Sequence, residues 1–144
     1  MIDERTTTPY AALLLRLSMG TLFLAHGALL KLGTFGLAGT MGFFGSLGYP
    51  PILGAVVAIA ETLGGLALIA GVGVRAVSLA LVPIMLGATL QHIPNGWVFS
   101  RAGGGWEFPA FWTVLLLVQA GLGAGAHALD GRRLLGRRTA TAAA

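Results

Sequence analysis

Glu61 is a carboxylic acid inside a long apolar segment, 52–70. A charged side chain at the centre of a membrane costs about 2.5–3.5 kcal/mol on insertion scales, so a spanning helix keeps one where it faces other protein groups. At helical spacing, Glu61 shares its face with Gly54, Ala58 and Gly65. Small residues of this kind permit close contact between helices. The spacing therefore predicts that Glu61 faces another helix.

Arg16 is the predicted partner of Glu61, because it lies about two turns into the neighbouring apolar segment, 10–30. Successive spans run antiparallel, so the two charged groups could meet below the middle of the membrane. We predict a structural ion pair that sets the register of the two helices. The alternatives are a carboxyl group that binds a proton or a ligand, and a small transporter in which Glu61 carries the proton.

Four further titratable residues fall at or beyond the predicted outer ends of the spans, namely His26, Lys31, His92 and Glu107. A quinone headgroup needs hydrogen-bond donors for its two carbonyls and a group that handles protons. Lys31 or His92 would donate, and Glu107 would accept. The cluster predicts a quinone headgroup site, and the alternative is an ordinary polar loop.

A haem or metal site is a competing hypothesis for His26 and His92, because both are predicted near the same surface. No spacing motif supports it, and His127 is predicted at the opposite surface. We predict no metal site. The chain has no cysteine, which excludes thiol chemistry and cysteine-ligated clusters. The chain itself is expected to carry no cofactor, and any redox role would depend on a bound quinone or a partner.

The composition predicts that lipid surrounds the elements that carry these residues. Of 144 residues, 56% are hydrophobic and 10% are charged, and the mean hydropathy is +0.83. Soluble domains carry roughly a quarter charged residues. The net charge of +4 comes with no basic and aromatic surface motif, so we expect no nucleic-acid partner.

Four apolar segments are long enough to cross a membrane as helices, since a span needs about 20 residues. They are 10–30, 52–70, 74–93 and 109–129. Their apolar residues do not alternate with polar ones, which favours helices over a barrel. We predict an all-α integral membrane protein, an up-down four-helix bundle whose membrane domain covers residues 10–131.

The distribution of basic residues predicts the orientation. Six Lys or Arg residues fall on the side of the termini and the second loop, and two fall in the first and third loops. The excess marks the cytoplasmic side. We therefore expect residues 1–9 and the tail 132–144 to be cytoplasmic, with the tail arginines touching anionic lipid.

A glycine recurs at every third position between the first two predicted spans, from Gly33 to Gly48. A collagen triple helix is excluded in this context, because the triplets lack proline. The spacing predicts a short interfacial or re-entrant helix that packs closely against the bundle.

The order of several short motifs resembles the DoxX family of membrane proteins. The resemblance extends over about residues 10–131. It is carried by Arg16-Leu17 with Gly20, His26-Gly27, Lys31-Leu32, Phe43-Phe44, Leu47-Gly48-Tyr49-Pro50, Glu61 with Gly64-Gly65, Leu68, Gly71, Arg75, His92 with Asn95-Gly96-Trp97, Glu107, Gly121, Gly123, Leu129 and Asp130.

The resemblance implies a four-helix protein of the bacterial cytoplasmic membrane. Some members of the family are subunits of a thiosulfate:quinone oxidoreductase, and others are linked to membrane-associated oxidoreductase complexes and oxidative stress. We therefore expect a membrane subunit of a quinone-linked oxidoreductase system, with soluble or membrane oxidoreductase subunits as partners. The alternative is a non-catalytic membrane anchor or scaffold that recruits soluble oxidoreductases. Whether the chain is itself an enzyme, and whether it forms a homo-oligomer, stay open.

Overall fold

The computed structural model describes residues 3–129, and within this range it contains helices and no strand. The all-α fold class is thereby confirmed. The helices are α1 (Glu4–Leu24), a π-helical segment that continues it (Ala25–Thr34), α2 (Gly36–Ser46), α3 (Pro51–Ala70), α4 (Val74–His92) with a final 3₁₀ turn (Ile93–Asn95), and α5 (Glu107–Leu122).

The first helix is longer than the predicted span, because it begins at Glu4 and continues to Thr34. Asp3 caps its start and accepts a hydrogen bond from the backbone amide of Arg5, at 3.1 Å. The last ten residues are π-helical, a form that is rare and found mostly as single turns at functional sites. The chain leaves this helix at Gly36, whose φ is +70°.

The glycine-rich stretch forms α2, which packs on the first half of α3. The contact is close, since a Cβ atom at Gly54 would lie 2.9 Å from the carbonyl oxygen of Thr40. Thr40 also donates its hydroxyl to the carbonyl oxygen of Lys31 at 2.7 Å. α2 thereby holds the end of the π-helical segment against α3. Its interfacial position stays a prediction.

Glycines set the contact between α1 and α3. A Cβ atom at Gly65 would lie 2.8 Å from the carbonyl oxygen of Gly20, and one at Gly27 would lie 2.9 Å from that of Ala58. The two backbones therefore approach with no side chain between them. Because Gly20 meets Gly65 while Gly27 meets Ala58, the helices run antiparallel.

An aromatic and aliphatic core joins α1 to the other long helices. Phe23 and Trp112 stack at a centroid distance of 4.7 Å, with Leu68, Met85 and Leu116 buried around them. α4 and α5 are antiparallel neighbours, and Arg75 at the start of α4 donates to the last carbonyl groups of α5. A cation at this position also opposes the partial negative charge of the helix end.

Three helical stretches are long and apolar enough to cross a membrane, namely Glu4–Thr34, Pro51–Ala70 and Val74–Asn95. The fourth apolar helix, α5, has 16 residues and ends at Leu122, so the predicted span 109–129 is too long. Gly123 ends it with a φ of +81°. The following residues return across the bundle. The amide of Ala126 donates to the carbonyl oxygen of Pro9, and that of Leu129 donates to Ala70.

We call the end of the bundle that holds the α3–α4 turn, Gly71–Gly73, the hairpin end. The opposite end, which holds the loop 96–106, is the loop end. Residues 123–129 close the hairpin end. The predicted basic tail, 132–144, lies outside the described residues.

Candidate functional site

The centre of the candidate site is an ion pair between Lys31 and Glu61. The ammonium nitrogen of Lys31 lies 2.6 Å from Glu61 Oε2. The Glu61 side chain is 6% exposed and that of Lys31 is 20% exposed, so the carboxylate is buried while the amine reaches the surface. Glu61 therefore lies on the helix face that was predicted to contact other protein groups.

The predicted partner of Glu61 is wrong. Arg16 lies beside Gly71, at the hairpin end, and ten residues of α3 separate Gly71 from Glu61. That separation is about 15 Å along a helix, which no arginine side chain spans in this direction. The glycine contacts fix this register, because they decide which turn of α1 meets which turn of α3.

Arg16 makes a different contact. Its Nη2 donates to the carbonyl oxygen of Ala126 at 3.1 Å, and the residue is 1% exposed. The guanidinium thus attaches the returning segment 123–129 to α1. It takes no part in the site at the loop end.

His26 lies on the same side of the bundle as the ion pair. Its Nδ1 is 2.8 Å from the carbonyl oxygen of Leu22, which can only accept, so Nδ1 donates this hydrogen bond. The next residue, Gly27, contacts Ala58 and Thr62 of α3. Those residues flank Glu61, so His26 lies level with the carboxylate.

Trp112 belongs to this site, although the sequence analysis did not select it. Its ring packs edge-on against the His26 imidazole, with centroids 5.1 Å apart, and the residue is 4% exposed. Its indole Nε1 is buried and has no hydrogen-bond partner among the described residues. Buried indole N–H groups normally have an acceptor. The only signal in the sequence was the core spacing of Phe108, Trp112 and Leu116, which equally fits a packing role.

His92 and Glu107, the other two members of the predicted cluster, lie in a second group around the loop 96–106. Glu107 Oε1 accepts the backbone amide of Phe99 at 2.8 Å, so its carboxylate fixes the loop. The His92 ring lies against Gly104, and its Nδ1 is 2.7 Å from the carbonyl oxygen of Ala88. In the structure, Lys31 and His26 therefore lie near Glu61. His92 and Glu107 instead contact the loop 96–106.

Aromatic rings connect the two groups. Phe99 of the loop packs on Phe108 at 5.2 Å, and Phe108 packs on Trp112 at 5.5 Å. The loop thus lies over the Trp112 side of the site. Trp97 and Trp106, near the two ends of the loop, pack against each other with their rings perpendicular and 4.5 Å apart.

Two pairs of these groups are in contact, namely Lys31 with Glu61 and His26 with Trp112. Lys31 supplies N–H donors, Trp112 one more, and His26 its second ring nitrogen. Within residues 3–129, no group of three or more His, Asp or Glu side chains is arranged to hold a metal ion. The side chains present can form hydrogen bonds, compensate charge and exchange protons.

Comparison with known proteins identifies the family. The profile of the DoxX family matches residues 11–94, which cover α1 from residue 11 onward, the π-helical segment, α2, α3 and α4. Both members of the ion pair, and His26, fall inside the match. Neither the curated proteins nor the solved structures include a significant match. Since the family profile covers more than half of the chain, and three apolar helices support a membrane protein, this chain belongs to the DoxX family.

Proposed function

We propose that this DoxX protein is a membrane subunit of a quinone-linked oxidoreductase system, and that a quinone headgroup binds beside the Lys31–Glu61 pair. The supporting observation is that the Lys31–Glu61 ion pair and the His26–Trp112 contact lie at a similar level of the bundle. A quinone presents two carbonyl acceptors on a flat ring. The site presents donors at two places and an aromatic wall.

Each residue has a distinct part in this proposal. Lys31 gives one proton to the hydrogen bond with Glu61 and retains two for a headgroup carbonyl. Glu61 holds the ammonium group in place and offers a carboxylate that can take up a proton. The indole N–H of Trp112 would donate to the second oxygen of the ring. The part-exposed side of Lys31 provides contact with the lipid phase, where a quinone is dissolved.

The proposal includes an arrangement in the bacterial cytoplasmic membrane. The three long helices and α5 would make four crossings, with the hairpin end on the cytoplasmic side. Soluble or membrane oxidoreductase subunits would supply the electron donor, since the chain has no cysteine and no metal cluster is formed by its described residues.

Binding of a short-chain quinone analogue to the detergent-purified protein tests the proposal. We expect Lys31→Ala and Glu61→Gln each to weaken binding about tenfold or more, because each removes a charged hydrogen-bond partner. Isothermal titration calorimetry is the measurement. Glu107→Gln is the matched control, since its carboxylate contacts the loop amide of Phe99, and it should bind as the unmodified protein does.

Two results would contradict the proposal. One is equal weakening by Glu107→Gln, which would place the headgroup at the loop. The other is the absence of binding by the unmodified protein, together with no quinone retained through purification. The second result would favour the alternative of a membrane anchor for soluble oxidoreductases.

A further inference from the structure

A second polar site lies in the core of the hairpin end. Five buried side-chain nitrogen and oxygen atoms lack a hydrogen-bond partner among the described residues, and four of them belong to three residues at this end. These atoms are Arg16 Nε and Nη1, Ser78 Oγ and Gln119 Oε1. Arg16 is 1% exposed, and Ser78 and Gln119 are fully buried. Buried polar atoms without partners are rare in proteins and call for a ligand, an ion or a water molecule.

The helix register places the three side chains at one level. Phe23 stacks on Trp112, and α1 and α5 run in opposite directions. Arg16 lies seven residues before Phe23, and Gln119 lies seven residues after Trp112, so the two are opposite each other. In the same way, Arg75 meets Ala120 and Gly121 across α4 and α5. Ser78, about one turn further along α4, is therefore within about one turn of Gln119.

The charge of this site is not balanced by a described residue. Glu61 pairs with Lys31 at the other end, and Glu107 accepts from the loop. Asp3 and Glu4 are exposed at the start of α1, three turns away from Arg16. A guanidinium stays charged at any pH that a protein tolerates, and a buried charge without a partner is strongly destabilising. Among the described residues Arg16 has no carboxylate partner, and a small anion would supply the missing charge.

An open groove of about 540 Å³ lies at the surface near this position. It is lined by Glu4, Arg5, Thr8, Pro9, Ala12, Leu122 and Gly125. Ala12 lies one turn before Arg16 on the same helix face, and Gly125 precedes the residue whose carbonyl oxygen Arg16 binds. The groove therefore comes within one helical turn of Arg16 along α1. The carboxylate of Glu4 stands at its rim beside Arg5, so an anion entering here meets charges of both signs.

We propose that Arg16, Ser78 and Gln119 form a binding site for a small inorganic anion, accompanied by water, at the hairpin end. Arg16 supplies the positive charge and two donor nitrogens, Nε and Nη1. The Ser78 hydroxyl donates to the anion or its water, and Gln119 Oε1 accepts from that water. Segment 123–129 covers the site, because Arg16 binds Ala126 and the amide of Leu129 binds Ala70.

Thermal unfolding of the full chain in detergent, with sodium phosphate or sodium chloride titrated against sodium gluconate at constant ionic strength, tests this proposal. We expect the Tm to rise and saturate with phosphate, chloride or both, because a ligand that binds the folded state stabilises it. Gluconate is too large to enter the core and serves as the reference anion. Ser78→Ala and Gln119→Leu, which keep the charge, should weaken the apparent anion affinity about tenfold.

Arg75→Gln is the matched control, since the guanidinium of Arg75 is satisfied by carbonyl groups at the same end. It should lower the Tm and keep the anion response. Arg16→Gln should abolish the response, and Arg16→Lys should retain part of it if Arg16→Gln fails to fold.

A Tm that does not depend on the anion in the unmodified protein would overturn the proposal. So would an anion response that arises only in Asp130→Asn, because the counter-ion of Arg16 would then be a carboxylate of this chain. An unchanged response in both Ser78→Ala and Gln119→Leu would overturn the assignment of the site. None of these outcomes depends on whether a quinone binds near Lys31.

Discussion

Lys31 and Glu61 lie thirty residues apart, and their contact depends on the π-helical segment between α1 and α2. A π-helix has a wider turn than an α-helix, so it changes the direction in which the side chains at its end project. Thr40 of α2 binds the carbonyl oxygen of Lys31 and fixes its backbone. The lysine side chain can then extend back to a carboxylate that lies level with His26.

A double-mutant cycle on this pair measures how much it contributes to stability. Lys31→Met should lower the free energy of unfolding by about 3–5 kcal/mol, because it leaves a buried carboxylate without its partner. We expect the double variant Lys31→Met with Glu61→Leu to be less destabilised than the sum of the two single changes, with a coupling of about 0.5–3 kcal/mol. Unfolding in detergent, followed by circular dichroism, gives the values.

Additive effects of the two substitutions would contradict a stabilising ion pair. Arg101→Met is a suitable control, because it removes an exposed basic residue at the same end of the bundle. It should change the free energy of unfolding little.

The sequence predicted the importance of Glu61 but not its partner, for a reason of geometry. The helix face of Glu61 follows from the spacing of Gly54, Ala58 and Gly65, which needs no other helix. Its partner depends on the axial register of α1 and α3, which the contacts of Gly20 and Gly27 determine. Those contacts are long-range and cannot be read from either segment alone. Trp112 was missed for a similar reason, since an unpaired indole nitrogen is visible only when its neighbours are known.

At the scale of helices, the contact between α1 and α3 is the most sensitive to side-chain size. Gly20, Gly27 and Gly65 each have a backbone atom of the other helix less than 3 Å from where a Cβ atom would stand. In a membrane, helix association depends on this close packing. The lipid acyl chains are as apolar as the helix surfaces, so the hydrophobic effect does not drive the helices together. The ion pair and the site beside it depend on the same contact.

A pair of alanine substitutions tests this contact. Gly65→Ala should destabilise the protein by about 1–3 kcal/mol, because the new methyl group would push α3 away from Gly20 and Leu24. Gly87→Ala in α4 meets no atom within 4 Å and should stabilise the helix by up to about 1 kcal/mol. The comparison of the two Tm values isolates the steric effect from helix propensity. A neutral Gly65→Ala would mean that the helices separate easily.

Helix positions were predictable, and several helix ends were not. The apolar segments 52–70 and 74–93 agree closely with α3 and α4, because prolines precede one and glycines separate the two. The fourth segment stays apolar beyond Leu122, so composition gave no stop signal there. Gly123 adopts a positive φ, and Gln119 donates to its carbonyl oxygen at 2.7 Å. The end of α5 is therefore set by local backbone geometry and by packing on α1.

For the whole molecule, the helix connections and the basic residues at the hairpin end predict how the bundle is oriented in the membrane. Arg5 and Arg75 both lie at that end, as do the residues that lead into the basic tail. Basic residues are enriched on the cytoplasmic side of membrane proteins. We therefore expect the hairpin end to face the cytoplasm.

Single-cysteine labelling tests this orientation, and the absence of native cysteine makes the background clean. In intact spheroplasts, a membrane-impermeant maleimide should label Ser100→Cys and should not label Thr6→Cys or Val72→Cys. All three positions are exposed, so all three should react after lysis. Labelling of Thr6→Cys or Val72→Cys in intact spheroplasts would reverse the orientation, and the cysteine-free protein is the control.

The shortness of α5 has a consequence for the lipid around the protein. Its 16 residues extend about 24 Å, against about 30 Å for the 20 residues of α3. The outward stripe of Phe111, Val114, Leu117 and Val118 is exposed, and acyl chains would have to cover it. Lipid beside α5 must therefore shorten or disorder its tails, whereas lipid beside α3 need not. We expect the mismatch between helix length and bilayer thickness to be largest at α5. In membranes with longer acyl chains, α5 should therefore be perturbed before the other helices are.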